Sequence, residues 1–313
     1  MKILEILSDE KYISGNKISA ALGISRAAVH KQIRKLIKGG FIIKSSVKGY
    51  KLIKSVLPFK AEDVIKKFLS PTRICKKILH FRRTASTQTK LKNLAQKGEP
   101  EGTIVTANEQ TSSYGRMQRK WISCSGGLWF SMLLKPKISP DCAAYISLLI
   151  ALALNRILKR NYAVKTKIKW PNDILVEDKK IAGIIVEMSA EQDMVNWIVA
   201  GVGINIYNSL PEDLPQAASL GSMVKKSIDR TKIMSAFLME FDKIYNDFCS
   251  SGFGRFCEEY NKNQEFLNEN IIIDTGFGII KGVNRGISGD GKLIIENEKG
   301  FEIIISGTLR RSV

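Results

Sequence analysis

Cations set beside turns and glycines, rather than nucleophiles, are what this chain offers for chemistry. The stretch "KWPNDILVEDKKIAGIIVE" (169–187) places Lys169, Asn172 and Asp173 at the end of one apolar run, then returns through a charged turn to Lys180 at the start of the next. A fixed ammonium at a strand end can neutralise a carboxylate or a phosphate. The stretch "EQTSSYGRMQRKWISCSGG" (109–127) carries Arg116, Arg119 and Lys120 in a polar, Gly-containing segment between two strand patterns. Guanidinium forks grip carboxylate and phosphate bidentately, and so polar a segment gains order when an anion enters it. "GVGIN" (201–205) supplies glycines where a ligand or a second strand approaches the backbone closely. Each stretch also has a plainer reading: a hairpin turn, a solvated basic loop, a close strand contact.

Several classes are excluded at the level of motifs. The sequence has no Gly-x-x-x-x-Gly-Lys-Ser/Thr loop, and its two histidines, His30 and His80, lie far apart. That argues against a P-loop ATPase, a histidine-built metal site and a Ser-His-Asp triad, and leaves any metal to arrive with a nucleotide. The five cysteines are odd in number and spread without a Cys-x-x-Cys pair, which fits a reducing cytoplasm. No membrane partner is expected. Acids appear early in "MKILEILSDE", and the longest apolar stretch, near "AAYISLLIALAL", falls short of the roughly 20 residues that span a bilayer.

The elements that must position these groups divide the 313 residues into three parts, with an overall net charge of +19 that favours polyanionic or phosphate-bearing partners. Residues 1 to about 55 hold 12 Lys and Arg against three acids. There "NKISAALGIS" reads as a short helix ended by Gly23, and "SRAAVHKQIRKLIKGG" as a second helix burying Val29, Ile33, Leu36 and Ile37. This is a helix-turn-helix plan (1–60). Ser25 caps the second helix, Arg26, Ala27, His30, Lys31 and Arg34 face outward toward a major groove, and "FIIKSSVKGYKLI" forms a hairpin wing with Lys48 in its turn. A basic three-helix bundle with merely solvating charges is the alternative. DNA binding would bring a dimer, since single modules bind weakly.

Residues 56–63 ("VLPFKAED") read as a linker leading to a helix. From 64 to 268 strands come in runs among fewer helices, an α+β pattern with a mixed or largely antiparallel sheet. One helix is expected to start at Ser139-Pro140-Asp141, with Ser139 as its capping residue. Residues 269–313 read as short strands separated by Gly, Asn and Asp turns, with "SGDGK" as a hairpin, forming a small β-barrel.

Lys169 to Asp173, Lys180 to Glu187, "GVGIN", the basic loop, "STQ" at 86–88 and Gln110 together resemble the biotin protein ligase family, and the added helix-turn-helix resembles its bifunctional ligase/repressor, BirA-type, members. The resemblance covers nearly the whole chain. It implies a winged helix-turn-helix, a class II synthetase-like catalytic domain and an SH3-like terminal barrel. It also implies the reaction: biotin and ATP, with Mg²⁺, give biotinyl-5′-adenylate and pyrophosphate, and a lysine of a biotin carboxyl carrier protein of acetyl-CoA carboxylase then takes the biotinyl group. Operator DNA would be the second partner, bound by a homodimer that the adenylate promotes.

By the same resemblance, Lys180 would neutralise the carboxylate and α-phosphate, while Arg116, Arg119 and Lys120 would close over the adenylate and exclude water. Ser86, Thr87, Gln110 and the backbone at Gly115 would read biotin. Trp121 would pack at the loop's end, and Asn172 would hold the metal-phosphate assembly. Asp173 would orient or deprotonate the incoming lysine, or serve only as a turn former. Gly183, Gly203, Asn205 and Arg310 would complete the ligand site, with 207–220 folding over adenine. The family's Gly-Arg-Gly-Arg-x-Gly-Arg is here "SYGRMQR", so Ser113, Tyr114 and Gln118 depart from it. Lipoate-type ligases and a biotin-sensing regulator without catalysis are the competing readings.

Overall fold

The computed structural model describes residues 2–8, 10–38, 41, 43–52, 59–67, 72–224 and 227–312, so residues 56–58 of the expected linker lie outside the described residues. The N-terminal unit contains α1 (Lys2–Ile6), α2 (Gly15–Leu22), α3 (Arg26–Lys38), β1 (Ile43–Ser46) and β2 (Gly49–Leu52). Ser14 accepts from the Lys17 amide to start α2, and Gly23, with φ 64°, ends it. Ser25 does the expected work for α3, accepting from the Ala28 amide at 3.2 Å. The unit has its own core of Ile3, Leu7, Ile18, Val29, Ile33 and Ile43. Ile37 departs from the expectation and is 43% exposed. At 3.6 residues per turn it lies about 80° around the helix from Val29, off the buried stripe. The hairpin wing forms as a two-stranded sheet, and a single antiparallel bridge from Ile13 to Tyr50 ties it to the helices. Gly49 permits this approach: a Cβ there would sit 2.2 Å from the Ile13 carbonyl oxygen.

The central part runs α4 (Ala61–Ile65), β3 (Lys77–Thr84), α5 (Thr87–Gln96), β4 (Thr103–Gln110), β5 (Leu128–Leu134), α6 (Ala144–Tyr162), β6 (Thr166–Lys169), β7 (Asp173–Val176), β8 (Lys179–Glu191), β9 (Met194–Ile204), α7 (Leu220–Met223), α8 (Arg230–Ser251) and α9 (Cys257–Asn263). Its seven-stranded sheet has the order β3-β4-β5-β9-β8-β7-β6. Only β3–β4 is parallel, because α5 is a crossover helix; the other pairs are antiparallel. The sheet is therefore mixed, as expected. Sequence patterning missed β3, whose exposed His80, Arg82 and Arg83 mark an edge strand rather than a buried one.

Period-two alternation sends alternate residues to opposite faces. Phe130, Met132, Ile198 and Val202 join α6 and α8 in the main core, whereas Val105, Leu133 and Val199 meet Leu91 and Ala95 of α5 on the other face. The α6 segment from Pro140 to Tyr162 is long and apolar enough to cross a membrane, but 72% of its most apolar window is buried inside the protein. Its start differs from the capped helix expected at Ser139. Pro140–Ala143 form a 3₁₀ turn, and Ser139 Oγ meets Cys142 Sγ instead of capping a backbone amide.

The C-terminal part has β10 (Asn270–Asp274), β11 (Ile279–Ile287), β12 (Leu293–Asn297), β13 (Gly300–Ile304) and β14 (Thr308–Arg311), all antiparallel, in the linear order β13-β12-β11-β10-β14. The "SGDGK" hairpin joins β11 to β12, with the Ser288 amide donating to Lys292 O. Ile271, Ile273, Leu293, Ile295 and Leu309 bury into the same cluster as the central core. That shared core brings the segment before β14 up to the mouth of the central sheet.

Candidate active site

Two strands make a bare floor. In the β8–β9 pairing Gly183 lies opposite Gly203, so neither strand raises a side chain there. Trp121 and Lys180 occupy the space. A Cβ on Gly203 would sit 2.7 Å from Trp121 Nε1, and one on Gly183 would sit 3.2 Å from Lys180 Nζ. Above this floor opens a cavity of about 360 Å³, walled by α5, the basic loop, the 207–220 loop and the approach to β14.

The polar wall starts at the N-terminus of α5. Ser86 caps the helix through the Thr89 amide, and Gln110 Oε1 accepts from both Thr87 N (2.7 Å) and Thr87 Oγ1 (3.0 Å). Gln110 Nε2 donates to Ser123 Oγ at 2.8 Å. Behind them Ser131 donates to Gln88 Oε1, and Gln88 Nε2 donates to the Val199 carbonyl. The side chains expected to read biotin are thus fixed in orientation by Gln88, Ser123 and Ser131. No local motif marks the two serines.

The cationic wall comes from three segments. Lys180 Nζ lies 2.7 Å from Asp173 Oδ1 and 5.1 Å from the Trp121 ring centroid. The Lys–Asp contact is ionic without the angles of a hydrogen bond, so the buried Asp173 Oδ1 has no hydrogen-bond partner. Lys169 stands close by. Burial lowers its pKa and Lys180 adds to the lowering, while Asp173 opposes both. The main chain of Lys180 also anchors the second loop, donating to Gln216 O and accepting from the Ala218 amide. The Trp170–Pro171 bond leading into this turn is cis.

Arg116 donates to Asn172 Oδ1 at 3.3 Å and to Ser306 Oγ at 2.7 Å; Arg119 donates to Thr308 Oγ1 at 3.2 Å. Burial pushes the Arg116 pKa down, with Asp173 raising it and Arg119 lowering it further. Asn172 spends its other amide group on Ile184 O. Ser306 and Thr308 are invisible in the sequence, being about 190 residues from the loop they hold. Gln118, where the family has glycine, still adopts a left-handed φ of 56°, as does Met117 at 55°. Such non-glycine conformations cost of order 1 kcal/mol each. Tyr114 donates to Glu187 Oε2 at 3.0 Å, and Lys92 donates to Glu187 Oε1 at 2.7 Å.

Gly115 and Lys120 line the cavity, the latter at its exposed rim; Asn205 is buried beside it and accepts from Asn208 Nδ2. Arg310 does not join them. It is exposed on β14, while Gly307, Thr308 and Leu309 line the cavity in its place. In the N-terminal unit Ser25, Arg26, Ala27, His30, Lys31, Arg34 and Lys48 are all exposed, the first six at or along α3 and the last in the wing turn.

The chain is 35% identical over 317 residues to the bifunctional ligase/repressor BirA of Bacillus subtilis (strain 168), spanning 98% of this chain and 97% of that protein. It belongs to that family. The Escherichia coli (strain K12) protein of the same name is 27% identical, spanning 95% of this chain and 92% of that one. Residues 80–205 match the biotin/lipoate A/B protein ligase family and residues 1–51 an HTH domain. The solved biotin protein ligase from Aquifex aeolicus in complex with biotin and ATP superimposes with a TM-score of 0.68 at 29% identity, over 76% of this chain and 100% of that one. Within this ligase/repressor, Tyr114 stands where the family loop has its first arginine, and Glu187 and Lys92 tie it down.

Proposed function

We propose that this chain activates biotin with ATP, transfers it to a lysine of a carrier protein, and represses transcription through its N-terminal helix-turn-helix. The observation that carries the catalytic half is Lys180 on the glycine floor, beside Asp173 and facing Arg116. In the first step a biotin carboxylate oxygen attacks the α-phosphorus of ATP and pyrophosphate leaves. In the second the carrier lysine amine attacks the biotinyl carbonyl and AMP leaves. Both nucleophiles come with the substrates, so the protein's task is to stabilise charge and exclude water.

Lys180 neutralises charge where carboxylate meets α-phosphate, and Arg116 and Arg119 cover the anhydride. Thr87 and Gln110 orient the biotin ring system. Asp173 holds Lys180 in place through the ion pair at its Oδ1 and, in the second step, takes the proton from the incoming amine. Among the described residues no group of three or more His, Cys, Asp or Glu is placed to hold a metal. Mg²⁺ binds through few protein oxygens when it arrives on a nucleotide, and Asn172 and Asp173 fit such a supporting role. Bound there, it would supply further neutralisation of the polyphosphate. A biotin carboxyl carrier protein as acceptor, operator DNA, adenylate-promoted homodimerisation and a cytoplasmic location complete the proposal.

The test is transfer of labelled biotin to a purified biotin carboxyl carrier domain with ATP and Mg²⁺, with lipoate as competitor. ATP-dependent labelling that lipoate does not compete away is expected. Biotin binding without labelling would leave a sensing regulator, and labelling by lipoate a lipoate-type ligase. In the Asp173→Asn variant pyrophosphate release is expected to outlast transfer; a normal transfer rate would remove the proton-accepting role.

A further inference from the structure

The net charge of this chain has a second source. Residues 64–98 contain ten Lys and Arg (66, 67, 73, 76, 77, 82, 83, 90, 92 and 97) and no Asp or Glu. This stretch includes the end of α4, the edge strand β3 and helix α5. Three of the cations are engaged, Arg73 by Glu101, Lys77 by Glu99 and Lys92 by Glu187. Lys66, Lys67, Lys76, Arg82 and Arg83 are exposed, and no ion pair engages them among the described residues. Within the sheet β3 pairs only with β4, so among the described residues no strand pairs with its outer edge.

From this we infer that the β3 edge is a second phosphate-contacting surface for duplex DNA, working beside the winged helix. The inference rests on the DNA-binding half of the proposed function. Chain geometry favours DNA over an acidic protein partner. Phe59 packs on His80 of β3, with ring centroids 5.1 Å apart. Leu52, the last residue of the wing, is seven residues before Phe59, and seven residues span at most about 25 Å. A duplex held by α3 and the wing is therefore within reach of this edge. Duplex DNA carries one charge per roughly 1.7 Å of axis, so about 25 Å of it presents many phosphates. An edge strand guarded by cations against aggregation is the structural alternative.

The experiment compares full-length wild type, a Lys76→Gln/Arg82→Gln/Arg83→Gln variant and an Arg26→Ala/Arg34→Ala variant, binding a fluorescent 40-bp mixed-sequence duplex across a salt series. For each phosphate that the protein no longer neutralises, the slope of log K against log salt becomes shallower by about 0.9, so the edge variant should bind with a slope smaller by about two to three. Biotin transfer by that variant should stay at wild-type level. An unchanged slope, with the α3 variant impaired, overturns this inference and leaves the winged-helix reading intact. Failure of wild type to bind the duplex would fell the DNA reading itself. An unchanged slope with a raised KM for the carrier domain would assign the edge to that protein and equally overturn the inference.

Discussion

In the cavity, Thr87, Gln110, Arg116, Arg119 and Asn172 each hold a protein partner, and Lys180 touches Asp173 at 2.7 Å. Along α3, Arg26, His30, Lys31 and Arg34 project into solvent with no ion pair among the described residues. The difference follows from what each region meets. A site that stabilises charge appearing only in a transition state works best when its donors are already fixed, because reorganisation would consume the gain. A phosphate-binding helix meets a partner that brings its own dense charge and releases counterions on docking, so fixing its side chains beforehand gains little.

Separating the two regions by mutation sharpens that contrast, and the largest effect belongs to the cavity. Replacing Lys180 with alanine should slow biotin-dependent pyrophosphate release by about 10²–10³-fold, the loss typical of removing one preorganised charge-stabilising donor. Duplex binding in the absence of biotin and ATP should not change. A comparable loss of DNA affinity would show that the regions are not independent. Next is Gly203→Ala. Its Cβ would meet Trp121 Nε1 at 2.7 Å and the ring at 2.8 Å, in a floor that cannot retreat because β9 is hydrogen-bonded on both sides. Overpacking of this kind costs about 1–3 kcal/mol. Biotin affinity measured by calorimetry should fall by about ten- to a hundredfold, as a cost of that size implies, while the fold survives.

These two positions also show how much the sequence disclosed. Lys180 and the paired glycines sit in contiguous motifs, so their place in the β7–β9 strand context was legible. The helix-turn-helix was equally local, a matter of caps, a left-handed glycine and one apolar stripe. What stayed hidden was tertiary. Ser306 and Thr308 reach Arg116 and Arg119 across about 190 residues of chain, and nothing around them signals a ligand site. The β3 strand escaped because an edge strand needs no apolar alternation, and the exposure of Arg310 on β14 was not legible because position along the chain does not give the face of a strand. Ile37 failed for a simpler reason, helical drift beyond the contact stripe.

The recognition helix should give a smaller, purely electrostatic response. Arg34→Ala is expected to weaken duplex binding about equally for all sequences and to reduce the salt slope by about one if Arg34 touches phosphate. Biotin transfer should be untouched. Relaxed preference at one base position with an unchanged slope would instead place Arg34 at a base edge and sharpen the picture of α3.

The smallest effect tests whether the loop is fixed before its ligand arrives. Burial alone would raise the Glu187 carboxyl, but hydrogen bonds from Lys92, Gln88 and Tyr114 outweigh it and hold its pKa below the usual carboxylate range. A depressed folded-state pKa stabilises the protein above the unfolded carboxylate value, near about 4.3, and that stabilisation disappears as pH falls through the folded value. Denaturant midpoints should therefore drop less steeply on acidification in Glu187→Gln than in wild type. Tyr114→Phe keeps the Lys92–Glu187 ion pair and removes two hydrogen bonds, from Tyr114 to Glu187 and from Lys92 to Tyr114, each worth about 0.5–1.5 kcal/mol. Faster amide exchange at 111–120 without ligand is expected, together with quicker escape of the adenylate in a chase experiment. If exchange in this loop is already fast in wild type and Tyr114→Phe leaves it unchanged, the cavity's loop is ordered by its ligand, and the contrast with α3 narrows to the floor and the α5 wall.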